Sequence, residues 1–139
     1  MTPIRTSVIV VSRERPGELK RCLAGLAQLD HPAFEVIVVA DPGGLKAVAD
    51  AGHAGRVKTV AFDVPNISRA RNLGLAEAAG EVVAFIDDDA VPEPTWLARL
   101  TAPFADPELS AAGGHVRGRN GISFQSTGAR VDGTGVERP

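Results

Sequence analysis

With 139 residues, 44% of them hydrophobic, the chain carries enough apolar mass for one globular domain with a buried core and too little for two. Its 15 basic and 17 acidic residues leave a formal charge of −2, which gives no basis for a nucleic-acid or anionic-membrane partner. Cys22 stands alone, so no internal disulfide is expected and a reducing compartment fits, while every apolar run falls far short of the ~20 residues of a membrane span.

Residues 7–11 are a continuous β-branched run that predicts a buried strand, and the breaker-rich stretch 12–17 predicts a loop after it. Leu19, Cys22, Leu23, Leu26 and Leu29 recur at three- and four-residue spacing, so residues 18–29 read as one helix, ended by His31-Pro32. A second apolar strand over 35–40 is turned at its carboxyl end by Asp41-Pro42-Gly43-Gly44 and followed by a weaker helix over 45–51. The third strand, 57–62, leads through Val64-Pro65-Asn66 into an alanine-rich helix over 67–79, with Gly80 in the position that closes a last turn. Residues 82–86 form the fourth strand. Pro94 opens a further helix over 94–104 in which Trp96, Leu97 and Leu100 share a face, with Trp96 read as a packing residue. Beyond it, 111–116 reads as a strand, and 122–124 and 129–131 read as hairpin arms within a glycine-rich tail.

Strands alternating with helices predict an α/β fold with a mostly parallel, Rossmann-like sheet flanked by helices on both faces. Residues 1–116 would form the core, and 117–139 a tail or hairpin, partly disordered or part of an incomplete region. Sheets of this kind bind ligands outside the carboxyl ends of their strands.

Three consecutive carboxylates, Asp87, Asp88 and Asp89, follow the fourth strand directly. Like charges packed at a sheet end are costly unless a cation or strong donors compensate them. Mg²⁺ and Mn²⁺ take oxygen ligands, often only one or two carboxylates, and fill the remaining positions with water and phosphate. Alternation along an extended chain sends Asp87 and Asp89 to one side, as metal ligands, and Asp88 to the other, toward sugar or ribose hydroxyls. The competing reading is an acidic turn that caps the next helix. Asp41, at the end of the second strand, could accept the imide N–H of a base, or could simply make an Asx turn before Pro42. Arg71 lies in the opening turns of the helix from 67, where backbone N–H groups favour an anion and a guanidinium adds a fork suited to phosphate. The alternative for Arg71 is a surface ion pair with Glu77 or Asp63. Arg69, two residues away, points elsewhere on the helix. Ser12, at the end of the first strand, joins the rim, as would Gly113, Gly114 and His115. The three histidines show no ligand spacing.

These segments in this order resemble the inverting glycosyltransferases of family 2, which have the GT-A fold. The resemblance spans roughly residues 7–100 and rests on Arg15-Pro16 and Leu23 after the opening strand, on Phe34 to Asp41, on Ala70-Arg71-Asn72-Leu73-Gly74, and on Ala79-Gly80-Glu81 running into Asp87-Asp88-Asp89, with Pro94, Trp96 and Leu97 extending it. It implies a UDP- or GDP-linked sugar donor, Mn²⁺ or Mg²⁺ held through Asp87 and Asp89 as the Asp-x-Asp equivalent, and transfer to a carbohydrate or lipid hydroxyl with inversion. By similarity Asp41 would contact the base and Arg71 the donor. The family's second strand usually ends in two acidic residues; here the first is Ala40, which implies altered base recognition.

Family members place the general base well beyond the metal motif, in a half that also builds the acceptor site. Asp106, Glu108, Asp132 and Glu137 match no such motif, so the resemblance implies a chain truncated at its acceptor half. The expected location is cytoplasmic, with any membrane association supplied by other sequence or a partner, and a homo-oligomer is compatible. A non-catalytic nucleotide-binding or regulatory module on the same scaffold is the alternative function. A nucleotidyltransferase is disfavoured because residues 12–17 lack a glycine-rich phosphate cradle, and a receiver domain because its acidic cluster should follow the first strand.

Overall fold

A computed structural model describes residues 5–31, 33–53, 56–105, 109–112, 116–117, 124–126, 130–132 and 137–138. They pack into two compact units, Met1–Pro94 and Thr95–Pro139, the division falling at the start of a helix, whereas the sequence-based boundary lies after residue 116.

The first unit holds strands β1 (Thr6–Ser12), β2 (Phe34–Ala40), β3 (Lys58–Ala61) and β4 (Val82–Asp87), and helices α1 (Pro16–Leu26), α2 (Pro42–Asp50) and α3 (Ile67–Glu77). The strands make one wholly parallel sheet of order β3-β2-β1-β4. β1 is central, pairing from Thr6 with Phe34 to Ser12 with Ala40 on one side, and from Thr6 with Val82 to Val11 with Asp87 on the other. Right-handed crossovers put α1 and α2, which carry the chain from β1 through β2 to β3, on one face. α3 then returns in the opposite direction across the second face and delivers β4 to the free side of β1. Val8 and Val10 are therefore buried on one face of β1 and Ile9 on the other, which is why the run reads as uninterrupted apolar residues rather than alternation. Under α3, Ile9, Ile37, Val39 and Ala70 form a buried cluster joined by Val11, Val60, Phe62, Ala78 and Val83. Gly74 allows that approach, since a Cβ there would lie 2.7 Å from Ile9 Cγ2.

Helix boundaries depart from the sequence reading for identifiable reasons. α1 starts at Pro16, whose fixed φ suits a first helical turn, and stops at Leu26. Asp41-Pro42-Gly43-Gly44 is the capped opening of α2 rather than a separate turn: Asp41 accepts a hydrogen bond from Gly44 N–H and Pro42 supplies the first turn. α3 is capped by Asn66, which accepts from Arg69 N–H, and ends at Glu77 with Ala78 extended (ψ 128°). Gly80 is thus no left-handed helix stop. Its N–H donates to Ser7 Oγ at 2.8 Å, and a Cβ would sit 2.7 Å from Ser7 N and 2.8 Å from Thr6 C, so a side chain cannot fit against β1.

Around Gly80 a clasp closes the amino end of the sheet. The Glu35 carboxylate accepts from Ser7 Oγ (2.6 Å) and Ala79 N–H (2.7 Å) and pairs with Lys58 Nζ (2.8 Å), which also donates to the Glu77 carbonyl at 3.1 Å. Burial works against ionisation of Glu35, but the donors Lys58, Ser7 and Ala79 outweigh it and hold the carboxyl at about 2. The end of α3 is tied to β1, β2 and β3 here, at the edge opposite the carboxyl ends of the strands.

In the second unit, α4 (Trp96–Thr101) passes into a 3-10 turn (Ala102–Ala105), so the helix expected over 94–104 is shorter than its pattern suggested. Thr101 Oγ1 donates back to the Leu97 carbonyl at 2.8 Å, a bond that competes with helix continuation. Strand β5 (Leu109–Ala112) covers the start of the run expected at 111–116. β6 (Val116–Arg117) pairs antiparallel with β7 (Phe124–Ser126), while β8 (Arg130–Asp132) lies between β5 and β9 (Glu137–Arg138). Among the described residues, β7 and β8, which overlap the arms expected at 122–124 and 129–131, pair with other strands; apolar alternation locates strands but does not choose their partners. Among the described residues no helix is long and apolar enough to cross a membrane.

Candidate functional site

The chain changes direction across the sheet between β1 and β4, and ligands of open parallel sheets settle outside the carboxyl ends at such a switch point. Ser12 ends β1 there and Asp87 ends β4 beside it. The sequence thus converges a hydroxyl, a carboxylate and two flanking loops on one crevice.

Asp87 is the last strand residue, level with Val11, and its side chain takes the α3 face. Asp88 and Asp89 are in a turn closed by Ala90 N–H donating to the Asp87 carbonyl at 3.1 Å. The alternation that would set Asp87 and Asp89 together against Asp88 does not apply, because the chain is no longer extended after Asp87. Instead Asp88 and Asp89 share one cation: Arg15 Nη1 lies 3.4 Å from Asp88 Oδ1 and Arg15 Nη2 3.6 Å from Asp89 Oδ2. Ser12 Oγ donates to Asp88 Oδ2 at 2.9 Å. Asp88 is buried at 7% exposure, whereas Asp87 and Asp89 are exposed.

Burial pushes the Asp88 carboxyl above its ordinary range; Ser12 and Arg15 oppose that rise, while the charges of Asp89 and Glu18 add to it. Beneath the turn, the buried Cys22 thiol donates to the Asp87 carbonyl at 3.6 Å. Burial, followed by the charges of Asp88, Asp89 and Asp87, pushes this thiol up to about 12, so Cys22 supports the turn and is no nucleophile at neutral pH.

Asp41 has both carboxylate oxygens engaged, Oδ1 by Gly44 N–H at 3.0 Å and Oδ2 by Glu14 N–H at 2.9 Å. The second bond holds Glu14 in the left-handed region (φ 62°), a conformation that a non-glycine residue adopts at a cost of roughly 1–2 kcal/mol. Asp41 is therefore the brace that shapes the β1 loop and thereby aims Arg15. The hydrogen bonds of Asp41 display a helix cap and a loop brace in place of the Asx turn considered for it.

Arg71 sits on the other flank. Its guanidinium lies 5.4 Å from the centre of the Phe85 ring, and among the described residues it has no ion-pair partner; Asp63, one partner considered for it, pairs with Arg13 at 3.0 Å. Arg69 points away and covers Phe62 at 5.6 Å, as helical geometry requires. Arg71 and Asp87 line a common hollow with Ile9, Val11, Ile67, Phe85 and Ile86. At ≈ 20 Å³ it is water-sized, with no room for a larger group. His31 accepts from Ala33 N–H at 3.1 Å. Gly113, Gly114, His115, Asp106 and Glu108 lie outside the described residues.

Among the described residues no group of three or more His, Cys, Asp or Glu side chains forms a metal cage. The donor chemistry fits a different arrangement, in which one or two exposed carboxylates share a hard cation with phosphate and water. Arg15 escaped the sequence reading as a site residue. Its position after the first strand was visible, but its reach to the acidic turn, 73 positions later at Asp88, depends on the β1–β4 pairing.

A parallel sheet with an acidic turn at its switch point, flanked by three crossover helices, is the architecture of the GT-A class. The model of the family "Glycosyl transferase family 2" matches residues 7–133, and the chain belongs to that family. It is 30% identical over 115 residues to the O-antigen biosynthesis protein RfbC of Myxococcus xanthus, covering 78% of this chain and 9% of the relative. To the glycosyltransferase AglE of Haloferax volcanii it is 28% identical over 124 residues, covering 79% and 38%. Among solved structures, the mannosyltransferase PcManGT from Pyrobaculum calidifontis, in complex with GDP-Man and Mn²⁺, superposes with a TM-score of 0.76 at 26% identity, covering 85% of this chain and 37% of that one. S. aureus TarS gives a TM-score of 0.65 at 28% identity, covering 76% and 33%. The chain thus spans well under half the length of each of these proteins.

Proposed function

We propose that this chain is the donor-binding part of a glycosyltransferase, which binds a nucleoside-diphosphate sugar through Mn²⁺ or Mg²⁺ and serves transfer of the sugar to an acceptor hydroxyl with inversion. The carrying observation is the acidic turn at the β1–β4 switch point, where Asp88 is buried and held by Ser12 while Asp87 and Asp89 stay exposed. Support comes from the GDP-Man and Mn²⁺ complex of PcManGT and from the UDP and UDP-GlcNAc complexes of TarS, at 26–28% identity across these structures.

Exposure supports the following division of roles. Asp87 and Asp89 hold the cation, which when bound supplies Lewis-acid stabilisation of the departing diphosphate. Asp88 and Ser12 keep the turn in place behind them. Arg71, set over the Phe85 ring and without an ion-pair partner among the described residues, offers its fork to the anionic donor. Asp41 sets the β1 loop and meets the base through lone pairs that Gly44 and Glu14 leave open.

Calorimetric titration with UDP and GDP, with and without Mn²⁺, tests the proposal. Metal-dependent binding that is lost in Asp89→Ala is the expected result; equal binding after chelation removes the metal bridge. The share of its relatives that the chain spans favours a second reading, binding without turnover, and sugar transfer or donor hydrolysis by the chain alone would refute that reading.

A further inference from the structure

Two groups stabilise the acidic turn, and they differ in kind. Ser12 Oγ is buried, makes a 2.9 Å bond to Asp88 Oδ2, and comes from the last residue of the central strand, so it is a fixed anchor. Arg15 lies in the loop at the position that caps α1, makes no side-chain capping bond, and keeps 47% of its side chain exposed. Its contacts to Asp88 and Asp89, at 3.4 and 3.6 Å, are longer than the ~2.7–2.9 Å of a tight charged hydrogen bond, and Asp89 is itself 54% exposed. One guanidinium is spread over two carboxylates, and its contact with the exposed Asp89 is cheap to give up, since exposed pairs contribute only about 0–1 kcal/mol.

We infer that Arg15 is the resident counter-ion of the acidic turn: in the donor-free chain it occupies Asp89, the carboxylate a divalent cation needs, and on donor binding it yields Asp89 and turns its fork to the diphosphate. The inference rests on the proposed donor-and-metal reading. Asp88 stays tied to Ser12 throughout, so the turn keeps its shape while the mobile charge changes partners. The loop is aimed for this exchange by the Glu14 N–H bond to Asp41, one residue before Arg15. An arginine suits the double role because its planar fork can span two carboxylates or two phosphate oxygens, which a lysine ammonium cannot. Metal and diphosphate then bind cooperatively, each favouring the arrangement in which Arg15 has left Asp89.

Two titrations on the whole chain test this. Free Mn²⁺ is followed by electron paramagnetic resonance without nucleotide, and UDP or GDP binding is followed by calorimetry at saturating Mn²⁺, each for wild type, Arg15→Ala and Arg15→Lys. In Arg15→Ala, Mn²⁺ alone should bind about two- to fivefold tighter, because its competitor is gone, whereas the diphosphate should bind about tenfold weaker. Arg15→Lys should fall between. A gain in metal affinity cannot come from a damaged fold, and circular dichroism checks folding independently. Unchanged or weaker Mn²⁺ binding in Arg15→Ala, or unchanged diphosphate affinity, overturns the role of Arg15 while leaving the donor-binding proposal in place. Absence of both ligands from folded wild type overturns that proposal and the inference together.

Discussion

Replacing Glu35 with glutamine keeps the shape of the clasp at the amino end of the sheet and removes its charge, which makes the contribution of that charge measurable through pH. In the folded chain the Glu35 carboxyl lies at about 2 against an ordinary 4.5, held there by Lys58, Ser7 and the Ala79 N–H in spite of burial. A displacement of that size corresponds to roughly 3.4 kcal/mol at ~1.4 kcal/mol per pH unit. The Glu35 side chain is 25% exposed and Lys58 47%, so solvent screening reduces the expectation to about 1–2 kcal/mol. Because the folded value is depressed, the stabilisation is complete above 4.5 and is lost as the pH falls from there toward 2. Urea unfolding of wild type and Glu35→Gln, followed by far-UV circular dichroism from pH 7 down to 3, reads the difference. Wild type should be the more stable by about 1–2 kcal/mol at pH 7, and at least half of that gap should vanish by pH 3. A gap that stays constant, or widens on acidification, would refute the clasp as an ionised network.

Gly80→Ala places a methyl group 2.7 Å from Ser7 N and should destabilise the fold by about 2–4 kcal/mol in the same unfolding assay, whereas Gly17→Ala, with open space around it, should change little. Ser12→Ala leaves the buried Asp88 carboxylate short of a donor, and a loss of about 1–3 kcal/mol is expected, larger at neutral than at acid pH. Arg71→Ala should weaken UDP or GDP binding about tenfold while leaving the urea midpoint close to wild type, because its guanidinium supports only the exposed Phe85 ring; a large fall in stability with unchanged affinity would make Arg71 structural.

The strands were legible because a sheet buried on both faces leaves long β-branched runs such as Val8 to Val11 and Val36 to Val39, and the switch point follows from their order once they are known to be parallel. Helix ends were less legible where one signal admits two structures. Asp-Pro-Gly-Gly is good chemistry for a turn and for a capped helix, and only the Asp41–Gly44 bond separates them. Gly80 stands where a helix-closing glycine would stand, but its requirement is the close passage of β1, a contact between residues 73 positions apart. The acidic trio declared itself by charge density, yet the direction of each carboxylate depended on where the strand stopped. Its counter-ion Arg15 and its support Cys22 were hidden in other segments until β1 and β4 met.

Diffraction from crystals of the chain grown with Mn²⁺ and UDP or GDP, recorded at a wavelength where manganese scatters anomalously, addresses the central claim most directly. The account predicts an anomalous peak bridging the diphosphate and an oxygen of Asp87 or Asp89, with Asp88 still bonded to Ser12. A nucleotide bound with no peak at the acidic turn, or a peak held by other residues, would contradict it.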